Sequence, residues 1–229
     1  MAFGRRMTIE RRERPPIILA AIAESDLNDL PAITDPGSEP IRRYVTQAFI
    51  EEAKTLKGNL DYFKEWRDPT DSRWWGVFTE DKLIGFTGYR DITTDPQSGL
   101  RTADSRMVLM NPDYLGQGID DPDQGIGTIA GMARTYYGLT RDRLDRIHAR
   151  VDIRNDASYR VVHGLGYLCV NHTNPRIDPD PERHLVELRH PDMPLNMPPS
   201  PYHGIDSWEI ARSRTARVLE LGAHAIVFS

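Results

Sequence analysis

Residues 116–127, GQGIDDPDQGIG, hold two Gly-x-Gly pairs, Gly116-Gln117-Gly118 and Gly125-Ile126-Gly127, the second followed by Thr128. A glycine pair opening a helix lets backbone N–H groups close on a phosphate, and the helix dipole favours an anion there. Either pair has the residues for this. Further along, RNDASYRVVHGLGY (residues 154–167) offers Asn155 and Ser158, two polar side chains that can bind a ligand or bond their own backbone. Upstream, Asp104-Ser105 supplies a carboxylate able to accept a proton. His163 lies in a helical stretch and is expected at the surface. The seven histidines show no tight ligand spacing, His184 and His190 being the nearest pair, so no metal is expected.

The elements that must position these residues follow from hydrophobic periodicity. IILAAIAES, from Ile17, reads as a first strand, and Ser25 caps a short helix with Leu27, Leu30 and Ile33 on one face. After DPGSEP, Pro40 opens a helix carrying Ile41, Tyr44, Val45, Ala48, Phe49, Ala53 and Leu56, and Tyr62, Phe63 and Trp66 continue the helical region. Trp74–Phe78 and Leu83–Tyr89 are two strands joined by the turn TEDK, and Arg106–Met110 is a further strand. Ile129, Met132, Ala133 and Tyr136 form a helical stripe. RIHARVDI alternates, with Ile147, Ala149, Val151 and Ile153 facing one way and His148, Arg150 and Asp152 the other. Ala157–His163 is a short helix stopped by Gly164 or Gly166, and strands follow near Tyr167–Val170 and Leu185–Leu188. This order is mixed α/β and too irregular for a doubly wound sheet.

The chain has 229 residues, 39% hydrophobic and 28% charged, which suits one globular domain with an extension. A net charge of −5 argues against general nucleic-acid binding. The single cysteine, Cys169, excludes an internal disulfide framework and fits a reducing cytosol, so a cytoplasmic location is expected. No apolar run is long enough to span a bilayer. Residues 1–14 read as a solvated arginine-rich tail, 15–190 as the main domain, and 191–229 as a proline-rich linker and a C-terminal extension. In that extension Asp206 and Glu209 have capping-box spacing, and Trp208, Ala211, Thr215, Val218, Leu219 and Gly222 mark an amphipathic helix. Such a helix is too sparsely apolar to stand alone. It must pack on its own domain or on a second subunit. The last apolar run, AIVF, gives a strand edge that invites pairing, so a homodimer is expected.

Three pieces, MVLMNPDYLGQG, QGIGT and RIHARVDIRNDASYRVVHGLGY, occur in the order strand, Gly-x-Gly loop, helix, strand, helix. The series resembles the GNAT superfamily of N-acetyltransferases, and within it the Rim-type branch of ribosomal-protein N-terminal acetyltransferases. The resemblance covers roughly residues 15–190, is strongest from Val108 to Tyr167, and rests most on Asn155, Ser158 and the closing Gly166-Tyr167. It implies the α/β (α+β) acyl-CoA N-acyltransferase fold, a mixed, mostly antiparallel central sheet flanked by helices. It also implies transfer of acetyl from acetyl-CoA to a primary amine by direct attack in a ternary complex.

The resemblance gives the residues roles. The donor's pyrophosphate needs a helix N-terminus followed by three to four turns before the next strand. Gly125–Thr128 leads straight into the stripe at Ile129, whereas Gly118 is followed by Asp120, Asp121, Pro122 and Asp123, which would repel a phosphate and break a helix start. The expected cradle is Gln124, Gly125, Ile126, Gly127 and Thr128; residues 118–123 read as an insertion, with Asp120 where the family has its second glycine. Backbone N–H groups of Val108, Leu109 and Met110 would hold the pantetheine and polarise the thioester carbonyl, Leu109 serving the oxyanion. Asn155 would touch the pantetheine arm or cap the helix at Asp156, and Ser158 would bind CoA or bond its own helix. Asp104 and Ser105 would face the acceptor, Asp104 taking the amine's proton through water. The family's tyrosine acid falls at Val162, so the proton donor is unassigned; Tyr159 and Tyr167 are candidates for it but read first as packing residues. Cys169 sits in a buried strand, and no covalent nucleophile is needed. The acceptor is left open among a peptide N-terminus, a lysine, an aminoglycoside and a small amine. The alternative reading is a CoA-binding or interaction protein that kept the fold and lost catalysis.

Overall fold

The computed structural model describes residues 6–12, 14–23, 25–26, 71–110, 125–152, 154–171, 183–193 and 208–229. The helices expected at Leu27–Ile33 and Pro40–Leu56, the helical region at Tyr62–Trp66, residues 111–124 and the cap Asp206 lie outside these. In chain order the elements are β1 (Met7–Arg11), β2 (Arg14–Ala20), β3 (Arg73–Thr79), β4 (Lys82–Thr94), β5 (Arg101–Met110), α1 (Ile126–Thr140), β6 (Arg146–Asp152), α2 (Asp156–Leu165), β7 (Leu168–Asn171), β8 (Arg183–Arg189), α3 (Trp208–Ala225) and β9 (Ile226–Phe228). The strands are hydrogen-bonded in the order β7-β8-β6-β5-β4-β3-β2-β1-β9. Every pairing quoted below is antiparallel except β5 with β6. This is the mixed α/β fold, with a mostly antiparallel sheet, that the sequence implies. Among the described residues no helix is long and apolar enough to cross a membrane.

The chain divides into two compact units. The first comprises Met1–Arg90, Arg106–Ala133 and Ala225–Ser229. Alternation builds its core in β1 and β2, where Met7, Ile9, Ile17 and Leu19 are buried, whereas β3 and β4 bury both faces, with Trp75, Val77 and Phe78 of β3 and Leu83, Ile84 and Phe86 of β4 enclosed. Trp75 and Tyr89 meet edge to face with ring centroids 5.8 Å apart. The turn between β3 and β4 has two central residues, Glu80 and Asp81, both at positive φ, between the paired Thr79 and Lys82. That is the backbone a tight hairpin requires.

Residues 7–11 correct the reading of the N-terminus as a solvated tail. They form β1, whose Met7 pairs with Leu19 on one side and Phe228 on the other. The inside–outside–inside order of Met7, Thr8 and Ile9 is a strand signal that the flanking arginines obscure. The AIVF run does form a strand, and it pairs with this chain's own β1.

The second unit comprises Asp91–Ser105 and Arg134–His224. Here β6 lies between β5, paired parallel from Thr102↔Arg146 to Asp104↔His148, and β8, paired antiparallel from Arg146↔Arg189 to Asp152↔Arg183. Ile147 and Val151 of β6 and Val186 and Leu188 of β8 are buried, as alternation predicts. Helix α2 ends at Gly166 in the left-handed conformation, φ 99°, with its N–H donating to the carbonyls of His163 and Val162.

Helix α3 buries Ala211, Thr215, Val218 and Gly222. A Cβ at Gly166 would collide with Thr215 Oγ1 and come within 2.7 Å of the Ala211 carbonyl, so α2's end and α3 are in close backbone contact. A Cβ at Gly222 would likewise strike the Tyr136 ring. Of the two covers open to this helix, its own domain and a second subunit, the chain supplies the first.

Candidate active site

The start of α1 has the features of an anion cradle. Gly125 immediately precedes the helix, and its carbonyl accepts the first intrahelical bond, from Ile129 N–H at 2.9 Å. The N–H groups of a helix's first turn have no partner within the helix and face outward along its axis. No acidic residue stands in α1's first turn to oppose a bound anion. Ile126 anchors the turn, 2% exposed, while Gly125, Gly127 and Thr128 are half-buried. Gln124 lies outside the described residues. The same unit carries the far end of β5, with Val108, Leu109 and Met110 in extended backbone. These residues therefore fit a diphosphate-bearing thioester such as acetyl-CoA in kind: backbone donors in a helix start and in a strand.

In the second unit one transverse row runs over three strands. Asp104 on β5 is in register with His148 on β6, and His148 with Glu187 on β8. The imidazole Nε2 is 2.9 Å from Glu187 Oε2, and Nδ1 is 3.8 Å from Asp104 Oδ1. Because a carboxylate can only accept, Nε2 carries the proton and donates to Glu187, which leaves Nδ1 as the basic atom in the neutral ring. Arg189 Nε donates to Glu187 Oε1 at 2.5 Å, and Arg146 Nη1 lies 4.0 Å from Oε2. Asp104 Oδ2 is 3.5 Å from Arg150 Nη1. Burial raises the proton affinity of Glu187, but the hydrogen bonds and charges of His148 and Arg189 outweigh it and hold the carboxyl below its usual range. The guanidinium of Arg189 lies 3.6 Å above the Trp208 ring, which joins the row to α3. Asp104↔His148 is also the last pair of the parallel ladder, although β5 runs on to Met110 and β6 to Asp152.

Asn155, directly after this strand, caps α2: its side chain accepts from Ser158 N–H at 3.0 Å. Of its two roles weighed on sequence, the capping one is occupied. Ser158 is half-buried in the first turn. Val162 is buried. Tyr159 packs on His163 with centroids 5.6 Å apart; burial first, then the thiol of Cys169 and the carboxylate of Asp152, push its phenol well above the ordinary range. Tyr167 is fully buried, and its hydroxyl has no hydrogen-bond partner among the described residues. Cys169, expected in a buried strand, lies in β7 but is only half-buried, because β7 pairs with β8 alone at the end of the strand order. Among the described residues no group of three or more His, Cys, Asp or Glu is arranged to hold a metal ion.

Asp104 and Ser105 thus stand at the end of the parallel ladder, and Asn155 and Ser158 at the start of the helix after β6. The sequence singled out neither His148 nor Glu187. Alternation in RIHARVDI placed His148 on the polar face, but only the register of β5, β6 and β8 sets it beside Asp104 and beside Glu187, 39 positions away.

The fold is shared with solved acetyltransferase structures. A search of solved structures found Mycobacterium smegmatis RimJ in complex with CoA-disulfide at 14% identity, covering 97% of both chains with a TM-score of 0.64. Spermidine N-acetyltransferase from Vibrio cholerae, in complex with CoA and spermine, is similar at 15% identity over 76% of this chain and 95% of that one, TM-score 0.57. A GNAT-family acetyltransferase from Bacillus anthracis is similar at 18% identity over 80% of this chain and 98% of that one, TM-score 0.56. A sequence comparison with curated proteins found no match. The family described as "Acetyltransferase (GNAT) domain" matches residues 17–168, a span that runs from within β2 to the start of β7 and holds the helix start at Gly125, the Asp104–His148 pair and the Asn155 cap. The chain therefore belongs to the GNAT acetyltransferase family and is an acyltransferase.

Proposed function

We propose that the protein moves acetyl from acetyl-CoA to a primary amine by direct attack in a ternary complex. The observation that carries this reading is the start of α1: a glycine-flanked helix N-terminus without first-turn carboxylates, inside a GNAT-family span. Gln124, Gly125, Ile126, Gly127 and Thr128 would cradle the pyrophosphate. The backbone of Val108, Leu109 and Met110 would bind the pantetheine, and the Leu109 N–H would meet the oxyanion as the carbonyl becomes tetrahedral. Asn155, already fixed as a cap, and Ser158 would line the cofactor arm. Asp104 and Ser105 would face the acceptor. The amine nitrogen bonds to the acyl carbon, the C–S bond breaks, and the thiolate leaves with a proton.

The spermidine N-acetyltransferase named above, solved with CoA and spermine, supports a small amine as acceptor, and the Rim-type resemblance adds a protein N-terminus or a lysine to the proposal. On the same reading residues 15–190 carry the transferase, 191–229 are a linker and extension, and the protein acts in the cytoplasm. A homodimer is supported by the position of β9 at the end of the strand order, where Val227 is 59% exposed. The second reading, CoA binding without catalysis, is favoured by one observation, the buried Val162 where a tyrosine acid would stand.

The cradle is tested by calorimetry with acetyl-CoA. A bulky side chain at residue 127 would keep the backbone from closing on a phosphate. Gly127→Val should abolish measurable binding while Gly118→Val stays near wild type, with both variants folded by circular dichroism. Loss from Gly118→Val alone, or equal loss from both, contradicts the cradle.

A further inference from the structure

Asp104 is engaged with Arg150 at 3.5 Å, and the group beside it is better built to take a proton. The ring of His148 is held on one side by the buried carboxylate of Glu187, 2.9 Å away. Its other nitrogen turns toward Asp104, 3.8 Å away, and a quarter of the side chain is exposed. We propose that His148, oriented by Glu187, is the base that accepts the proton of the incoming amine. The proposal rests on the acetyl-transfer reading and names the base within it.

The geometry suits the step. With Nε2–H donated to Glu187, Nδ1 offers its lone pair on the side of Asp104 and Ser105, the end assigned to the acceptor. An aliphatic amine arrives at neutral pH as an ammonium ion. Nδ1 takes one proton from it, directly or through one water. The freed lone pair attacks the thioester carbonyl, the N–C bond forms and the C–S bond breaks. The second proton passes from nitrogen to the leaving thiolate, giving CoA thiol and the amide. The imidazolium then returns its proton to solvent, so each turnover releases one. The charged groups around it are Asp104 from β5, Glu187 and Arg189 from β8, and Arg146 and Arg150 from its own strand.

The same row gives α3 a part. Trp208 lies under Arg189, Arg189 holds Glu187, and Glu187 holds the ring. Trp208 is therefore a positioning residue, separated from the base by Arg189 and Glu187.

The experiment uses the full chain and an amine that it acetylates. Turnover and KM are followed against pH for wild type, His148→Gln and Trp208→Leu, with acetyl-CoA affinity by calorimetry and the His148 ring followed by NMR in wild type. Wild-type kcat should fall on the acid side as the ring takes a proton, at the pH where the NMR signal titrates. His148→Gln should lower kcat roughly 100-fold, as loss of a general base does. Its acetyl-CoA affinity should not change and its acid limb should vanish, leaving a rate that rises only with the fraction of free amine. Trp208→Leu should keep the limb but move it, which a merely structural role would not do. Wild-type kcat or an intact limb in His148→Gln overturns the proposal. So does a limb that disagrees with the ring's titration, a readout that holds even where the variant fails to fold. Wild type inactive on every amine removes the acetyl-transfer reading, and the proposal falls with it; in each of the other failures wild type remains active.

Discussion

Glu187 is the most enclosed charge of the row, 5% exposed, with His148 and Arg189 both bonded to it. A buried carboxylate is tolerated only with such partners, because desolvation otherwise outweighs attraction. Its carboxyl is held below the usual range, so its folded-state proton affinity is lower than in the unfolded chain. The stability this supplies is therefore fully present above the ordinary glutamate value of about 4.3, and it is lost as pH falls through the lower folded value. Glu187→Gln should cost roughly 1–3 kcal/mol at neutral pH, since it leaves Arg189 and His148 with a weaker acceptor. The gap in melting temperature should narrow as pH falls below about 4.3. A gap that widens in acid contradicts the assignment of charge. Asp104, Ser105, Asn155 and Ser158 became candidates through the motifs of the family resemblance. His148 and Glu187 were not legible. A histidine on a polar strand face is ordinary, and its partners lie 44 and 39 residues away on other strands.

At the scale of elements, the strands were legible from period-two alternation and the helix starts from glycine, asparagine and cap spacing. β1 was hidden because its two buried side chains, Met7 and Ile9, stand in a stretch rich in arginine, and β5 was read short because its first half, RTADS, holds a single apolar residue, Ala103. The packing of α3 was not legible, since a weakly amphipathic helix does not say what it covers. The structure answers through Gly166, which serves at once as the left-handed end of α2 and as the seat of α3. Gly166→Ala meets both limits. The left-handed backbone alone costs an alanine roughly 1–2 kcal/mol. The added Cβ meets the backbone carbonyl of Ala211, which cannot swing away as a side chain can. A total of about 2 kcal/mol or more should lower Tm by roughly 4–8 °C for a chain of this size. It should also speed hydrogen exchange in α3. An unchanged melting temperature means that the helices are not seated on each other in this way.

At the scale of the molecule, the division into two units was not legible, because β4, β5 and α1 each contribute residues to both. The C-terminal segment also touches both: α3 packs within the second unit and β9 pairs with β1 in the first. Deletion after Ser200 should therefore destabilise the whole chain, uncovering Gly166 and Tyr136 and stripping β1 of a partner. The expected outcome is a lower, broader melt together with weaker acetyl-CoA binding, seen by calorimetry and calorimetric scanning. A truncated chain that melts like the full one would make the segment a mere appendage. Sedimentation of the full chain decides the homodimer separately, a monomer at all concentrations retiring it.

Acetyl transfer itself is tested most directly by mass spectrometry of amines incubated with the full-length protein and acetyl-CoA, using peptides with free N-termini, lysine peptides, polyamines and aminoglycosides. The predicted result is protein-dependent gain of one acetyl group on at least one amine, with CoA thiol released in equal amount. Acetyl-CoA bound by calorimetry but transferred to none of these amines would contradict the account and leave the protein a CoA-binding member of its family.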